Sequence, residues 1–138
     1  MRFMMLMIPK GYEKAAAGTM PDAKKVAAMM KYNEELQKAG VLLALDGLQP
    51  PSMGARVTFS GGKPKVIDGP FIETKEVLGG YWMIKVSSKQ EAIDWAMRCP
   101  GSDNETIEIR QVHELQDFPE DVQKAGARFT EIQAALNK

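Results

Sequence analysis

Short stretches in which apolar residues recur with a period of two alternate along this chain with longer stretches of helical period. Residues 2–8 put Phe3, Met5 and Met7 on one face and Met4, Leu6 and Ile8 on the other. Both faces of this first strand are apolar, so both should be covered. Residues 10–18 read as a loop. A helix is expected from Thr19, with Pro21 in its first turn, Asp22 three residues after Thr19, and Gly40 as its stop. Val26, Met29, Met30 and Leu36 share one face of it. Residues 41–48 form a second strand, closed by QPPSMG, whose prolines lack the ladder donor. Residues 55–60 and 63–68 form a hairpin about Gly61-Gly62. Residues 80–86 set Trp82, Ile84 and Val86 against Tyr81, Met83 and Lys85. SSKQEAIDWAMRCPG is a second helix, with Ser88 and Glu91 fitting a capping box and Pro100-Gly101 ending it. Residues 106–114 are the last strand. A final helix starts at about Asp117 and Glu120, and its stripe of Val122, Ala125, Phe129, Ile132 and Leu136 should bury against something.

With the hairpin set aside as an insertion, the order is β-α-β-β-α-β plus one extra helix, which is the ferredoxin-like α+β pattern. Residues 1–117 form that domain and 118–138 the appended amphipathic helix, packed on the domain or on a partner subunit. Such a sheet carries both helices on one face. An apolar opposite face then marks an interface, so a homodimer or higher homo-oligomer, with two sheets face to face, is expected.

Composition narrows the partners. The 138 residues suit one domain, and 18 basic side chains balance 18 acidic ones, which argues against a nucleic-acid partner. The apolar opening is too short for a membrane span or a secretion signal, so no membrane partner is expected. Cys99 is the only cysteine, so no internal disulfide forms; a reducing, cytoplasmic compartment fits best. One histidine and no cysteine cluster argue against zinc. No metal and no cofactor is expected, although an oxygen-ligand site of Asp and Glu stays open. No Walker loop, dinucleotide fingerprint or nucleophile elbow occurs, and SGGKP reads as a hairpin.

DGPF at 68–71, ETKE at 73–76, LGGYW at 78–82 and GLQPP at 47–51 stand in an order that resembles the DGPF-type branch of the YCII-related family. NEELQKAGV, EAIDWAMRCP and IEIRQV fall in the same expected order, so the resemblance covers residues 2 to about 114. It implies a dimeric α+β barrel and says little about activity. Some members resemble regulatory modules attached to sigma factors; others in the broader superfamily resemble small enzymes acting on hydroxylated or chlorinated rings and lactones. The shorter YCII branch is similar to an enzyme with a His on the first helix paired with an Asp. Here Met29 falls near that place, so the dyad is not carried over.

Several polar residues are candidates for a site, each with a structural reading beside the functional one. Asp68 with Gly69-Pro70 makes a turn, or puts a carboxylate at a pocket mouth. Glu73, Lys75 and Glu76 form a solvated loop, or a carboxylate pair whose proton affinity the lysine tunes. Asn33, inside the helical stripe, satisfies a neighbour in the protein or faces a ligand. Asp46 caps the proline-rich turn or points into a cleft. Arg110 pairs with Glu108 or a loop carboxylate, or grips an anion. His113 is the side chain that titrates near neutrality, but it stands alone at a strand end. Trp82 and Trp95 read as core. The reading is a small-molecule-binding protein, with Asp68, Glu73 or Asp46 as the carboxylate of a cofactorless acid–base enzyme. The alternative is a noncatalytic sensing or assembly module.

Overall fold

A computed structural model describes residues 1–18, 20–69 and 77–137. Thr19 and the residues 70–76, with Glu73, Lys75 and Glu76 among them, lie outside the described residues. The strands are β1 (Arg2–Ile8), β2 (Leu42–Gly47), β3 (Ala55–Ser60), β4 (Lys63–Asp68), β5 (Gly80–Lys85) and β6 (Thr106–Gln111). The helices are α1 (Ala23–Lys38), α2 (Lys89–Met97), α3 (Glu120–Ala125) and α4 (Arg128–Leu136). Four strands form one sheet in the order β2-β5-β1-β6, and β3 and β4 form a separate two-stranded ribbon. Every pairing in the sheet is antiparallel. This is the ferredoxin-like α+β fold, with the hairpin inserted between its second and third core strands.

Alternation along β1 decides the layering. Phe3, Met5 and Met7 are buried under the helices, and Met5 stands in register with Trp82 on one side and Ile109 on the other. Trp82, Ile84 and Val86 join them, and Tyr32, Leu36 and Ala92 close the core from above. Each such side chain contributes roughly 1.5–3 kcal/mol by leaving water. The Tyr32 ring meets Trp82 edge-on at 5.7 Å, and its hydroxyl donates to the Trp95 carbonyl at 2.7 Å. On the opposite face Met4, Leu6, Ile8, Tyr81 and Met83 are only half-buried.

Three expectations need correction. First, α1 begins at Ala23 with Asp22 flanking it, and its buried residues are Tyr32, Asn33 and Leu36. Val26 and Met30 are exposed, because the helix presents the 29–32/33–36 row to the sheet. Second, the last strand ends at Gln111, after which the Val112 amide makes one more bond to the Arg2 carbonyl at 2.9 Å. Asp117 then caps a tight turn at Leu115–Asp117 by accepting from the Glu114 amide at 3.0 Å. Third, the C-terminal segment is not one helix. It breaks at Gly126, a weak helix former. In the single chain Val122, Phe129 and Ile132 are about half exposed and Leu136 is 78% exposed.

Other local chemistry follows the sequence. Gly61 and Gly62 take positive φ of 58° and 77°, as a two-residue hairpin turn requires. Ser88 Oγ caps α2 by accepting from the Glu91 amide at 3.1 Å, while the Glu91 carboxylate accepts from Ser87 rather than Ser88. No described helix is long and apolar enough to cross a membrane.

Candidate functional site

Three of the sequence segments that stood out, GLQPP, Asp68-Gly69 and Gly79-Gly80, meet at one end of the sheet. β2 and β5 meet there with Gly47 opposite Gly80 and Asp46 opposite Tyr81. Beyond this end the Leu48 amide donates to the Gly79 carbonyl at 2.9 Å, and the Gly79 amide donates to the Met7 carbonyl at 2.8 Å. The Tyr12 hydroxyl donates to the Leu48 carbonyl, which pins the loop after β1 to the proline-rich turn. Gly79 and Gly80 are required by contact. A Cβ on Gly79 would lie 2.6 Å from Pro9 Cγ, and one on Gly80 would lie 2.8 Å from the Asp46 carbonyl oxygen.

The turn after β2 folds as a short helical turn, Pro51–Met53, held by Ser52 Oγ donating to the Ala15 carbonyl at 3.1 Å. The base of the hairpin docks on it. The Gly69 amide donates to the Gly54 carbonyl at 3.0 Å, and a Cβ on Gly69 would lie 1.8 Å from the Pro51 carbonyl oxygen. The glycine after Asp68 is therefore what lets the hairpin close against the prolines. Between these pieces lies a groove of about 510 Å³, walled by Leu48, Pro51, Met53, Arg56, Val77 and Leu78. Its walls are mainly aliphatic.

Polar chemistry lies at the strand end that leads into the groove. On the open face of the sheet the Tyr81 hydroxyl donates to Asp46 Oδ2 at 2.8 Å. That hydrogen bond is the main reason the Tyr81 phenol holds its proton more tightly than an ordinary tyrosine. Asp46 precedes Leu48 by two residues and is exposed. Asp68 is also exposed and stands across the hairpin from Ala55, which lines the groove. A carboxylate paired with a phenol can accept a proton through its free oxygen while the phenol fixes its orientation.

The remaining candidates fall elsewhere. Asn33 is buried, and its Oδ1 accepts from Trp82 Nε1 at 2.7 Å. Arg110 is exposed on β6 and makes a long pair with Glu108 at 3.8 Å. It sits three strands from Asp46, about 14 Å across the sheet. His113 is exposed at the other end of the sheet, its ring 4.8 Å from that of Phe118. The structure thus does not gather Arg110, His113 or Asn33 with Asp46. Tyr81 is the partner that sequence reasoning missed. Its alternation placed it on the open face, but only the strand register shows that it faces Asp46. Among the described residues no cluster of three His, Cys, Asp or Glu is arranged to hold a metal.

Residues 1–116 match the YCII-related domain. The chain belongs to the YCII-related family. It is also similar to an uncharacterized protein of Rhizobium meliloti (strain 1021), with 41% identity over 70 residues. That match takes in 51% of this chain and spans about half, 53%, of the relative's length. Family membership accounts for the β-α-β-β-α-β body, and α3 and α4 lie wholly outside the matched residues.

Proposed function

We propose that this YCII-related chain is of the DGPF type and binds a small organic molecule in the groove between the proline-rich turn, the hairpin base and Val77-Leu78. Asp46 serves as the proton acceptor of a cofactorless acid–base reaction, with Tyr81 fixing it, and Asp68 stands at the groove's hairpin side. This reading rests on the GLQPP segment and Val77-Leu78 walling one groove, on Gly69 packing against Pro51 of that wall, and on the Asp46–Tyr81 pair at the strand end that leads into Leu48. Aliphatic walls with few polar groups are what a modest organic ligand needs. Residues 1–117 act as the domain and residues 118–138 as an appended arm. The half-buried thiol of Cys99 fits a reducing cytoplasm.

A second reading is favoured by the open sheet face. Met4, Leu6, Ile8 and Met83 form a half-buried apolar area there, which suits a homodimer of the α+β barrel kind and an assembly or sensing role without chemistry. One set of measurements separates the two. A small-molecule thermal-shift screen should yield a ligand whose stabilisation is lost in Leu78→Arg, which blocks the groove. Asp46→Asn should then abolish its turnover while leaving binding within a few-fold. A ligand that binds Leu78→Arg normally removes the groove from consideration. Binding without turnover in the unmodified protein leaves the assembly reading.

A further inference from the structure

Among the described residues two apolar surfaces stay largely exposed in the single chain, and they lie at opposite ends of the sheet. The first is on the hairpin. Register places Val57, Phe59, Pro64 and Val66 on one face of the β3–β4 ribbon, with Arg56, Thr58 and Lys65 on the other. Phe59 is 78% exposed and Val66 65%. A lone two-stranded hairpin is marginal in water, so this one needs a cover. The second surface is the α4 stripe, where Ile132 is 52% and Leu136 78% exposed.

The chain cannot cover one with the other. The hairpin leaves the sheet at the end marked by Gly47 and Gly80, because Leu48 and Val77 lead into it. The arm stands at the far end. There Arg2 Nε donates to Glu114 Oε1 at 2.7 Å, and Gln133 and Asn137 border a groove with Arg2, Lys85 and Leu43. A six-residue strand separates the two ends, about 20 Å.

We infer that the hairpin's apolar face is the docking surface for the α4 stripe of a second copy of this chain. This rests on the second-copy reading above and adds the geometry. Two sheets packed face to face about a twofold axis that lies between them, perpendicular to the strands, have their ends exchanged. Each arm then stands at the partner's hairpin. The contact occurs twice, as an isologous pair demands. Half a dozen half-exposed side chains at roughly 60–100 Å² each supply about 400–600 Å² per contact, so two contacts give about 800–1,200 Å². Together with the open sheet face, that reaches the area a stable pair needs. The arrangement also completes the candidate site. Ala55 shares the ribbon face of Val57 and Phe59 and also lines the groove, so the partner's arm becomes an extra wall beside the ligand.

The test is crosslinking between differently tagged chains in a Cys99→Ala background, one carrying Phe59→Cys and the other Ile132→Cys, treated with a short bismaleimide. A mixed-chain adduct is expected on mixing, with little adduct from either chain alone. Phe59→Asp in the unmodified background should weaken self-association at least about tenfold. Melting curves check that each variant is folded. Dimers by light scattering without the mixed adduct, or with Phe59→Asp unaffected, overturn the docking while the sheet-face dimer stands. A monomer throughout overturns both.

Discussion

The indole Nε1–H of Trp82 donates to Asn33 Oδ1 at 2.7 Å inside the core, tying α1 to the central strand β5. Both groups are buried, so each needs the other. Asn33→Leu should lower stability by about 1–3 kcal/mol, because the indole donor is left without a partner. Adding Trp82→Phe to it should recover part of that loss beyond what the two single changes predict. Urea melts of the four proteins in this cycle measure the coupling. A coupling near zero would mean the bond is not formed in solution.

Gly69 and Gly47 offer a paired test of the hairpin base. A Cβ on Gly69 would run into the Pro51 carbonyl, whereas a Cβ on Gly47 meets nothing within 4 Å. Gly69→Ala should therefore destabilise by on the order of 1–3 kcal/mol. Gly47→Ala should be close to neutral. Thermal melts compare the two. Equal effects would show that the approach to Pro51 is not tight in solution.

The body of the fold was legible because period and punctuation agreed. The hairpin bounds, the Gly61-Gly62 turn, the faces of β1 and β5 and the Ser88 cap all follow from local chemistry. What was not legible depended on tertiary register. The buried row of α1 passes through Tyr32 rather than Val26, because the helix is rotated by what it packs on and not by its apolar average. The C-terminal stripe read as buried because its spacing was helical, yet periodicity says only that a face wants a partner, not that this chain supplies one. In the site, Asp46 was visible as a carboxylate at a strand end, but its pairing with Tyr81 needed the β2–β5 register. The Asp-Gly turn and the Gly-Gly pair were visible as constraints, and the structure supplies what they press against.

Alkaline pH should loosen the α1–α2 layer. Burial pushes the Cys99 thiol up to about 11 and, as the main cause, raises the Tyr32 phenol as well. Both groups hold their protons more tightly folded than unfolded. Their contribution is thus fully present below the unfolded values and is lost as pH rises through the folded ones. Stability should fall as pH climbs from about 9 to about 11, and Cys99→Ala should flatten part of that slope. Cys99 should also react with a thiol reagent at pH 8 far more slowly than a free cysteine. Rapid labelling of the folded protein would contradict its burial.

Asp46 and Tyr81 lend themselves to a test that needs no ligand. The phenol's ionisation is disfavoured chiefly by its hydrogen bond to the carboxylate. Asp46→Asn keeps the shape and removes the charge, so the Tyr81 phenol should ionise at lower pH in the variant. Tyrosine ring NMR across an alkaline titration, with Tyr81→Phe to assign the signal, reads this directly. Because a raised value means the protonated phenol persists, any binding that depends on the Tyr81 hydroxyl should hold with rising pH beyond the ordinary tyrosine range. In Asp46→Asn it should fail earlier. Tyr81→Phe should weaken such binding at every pH and leave stability nearly unchanged, since the pair faces solvent. If Asp46→Asn leaves the phenol's titration where it was, the two side chains do not meet in solution. The acid–base reading then loses the geometry on which it stands.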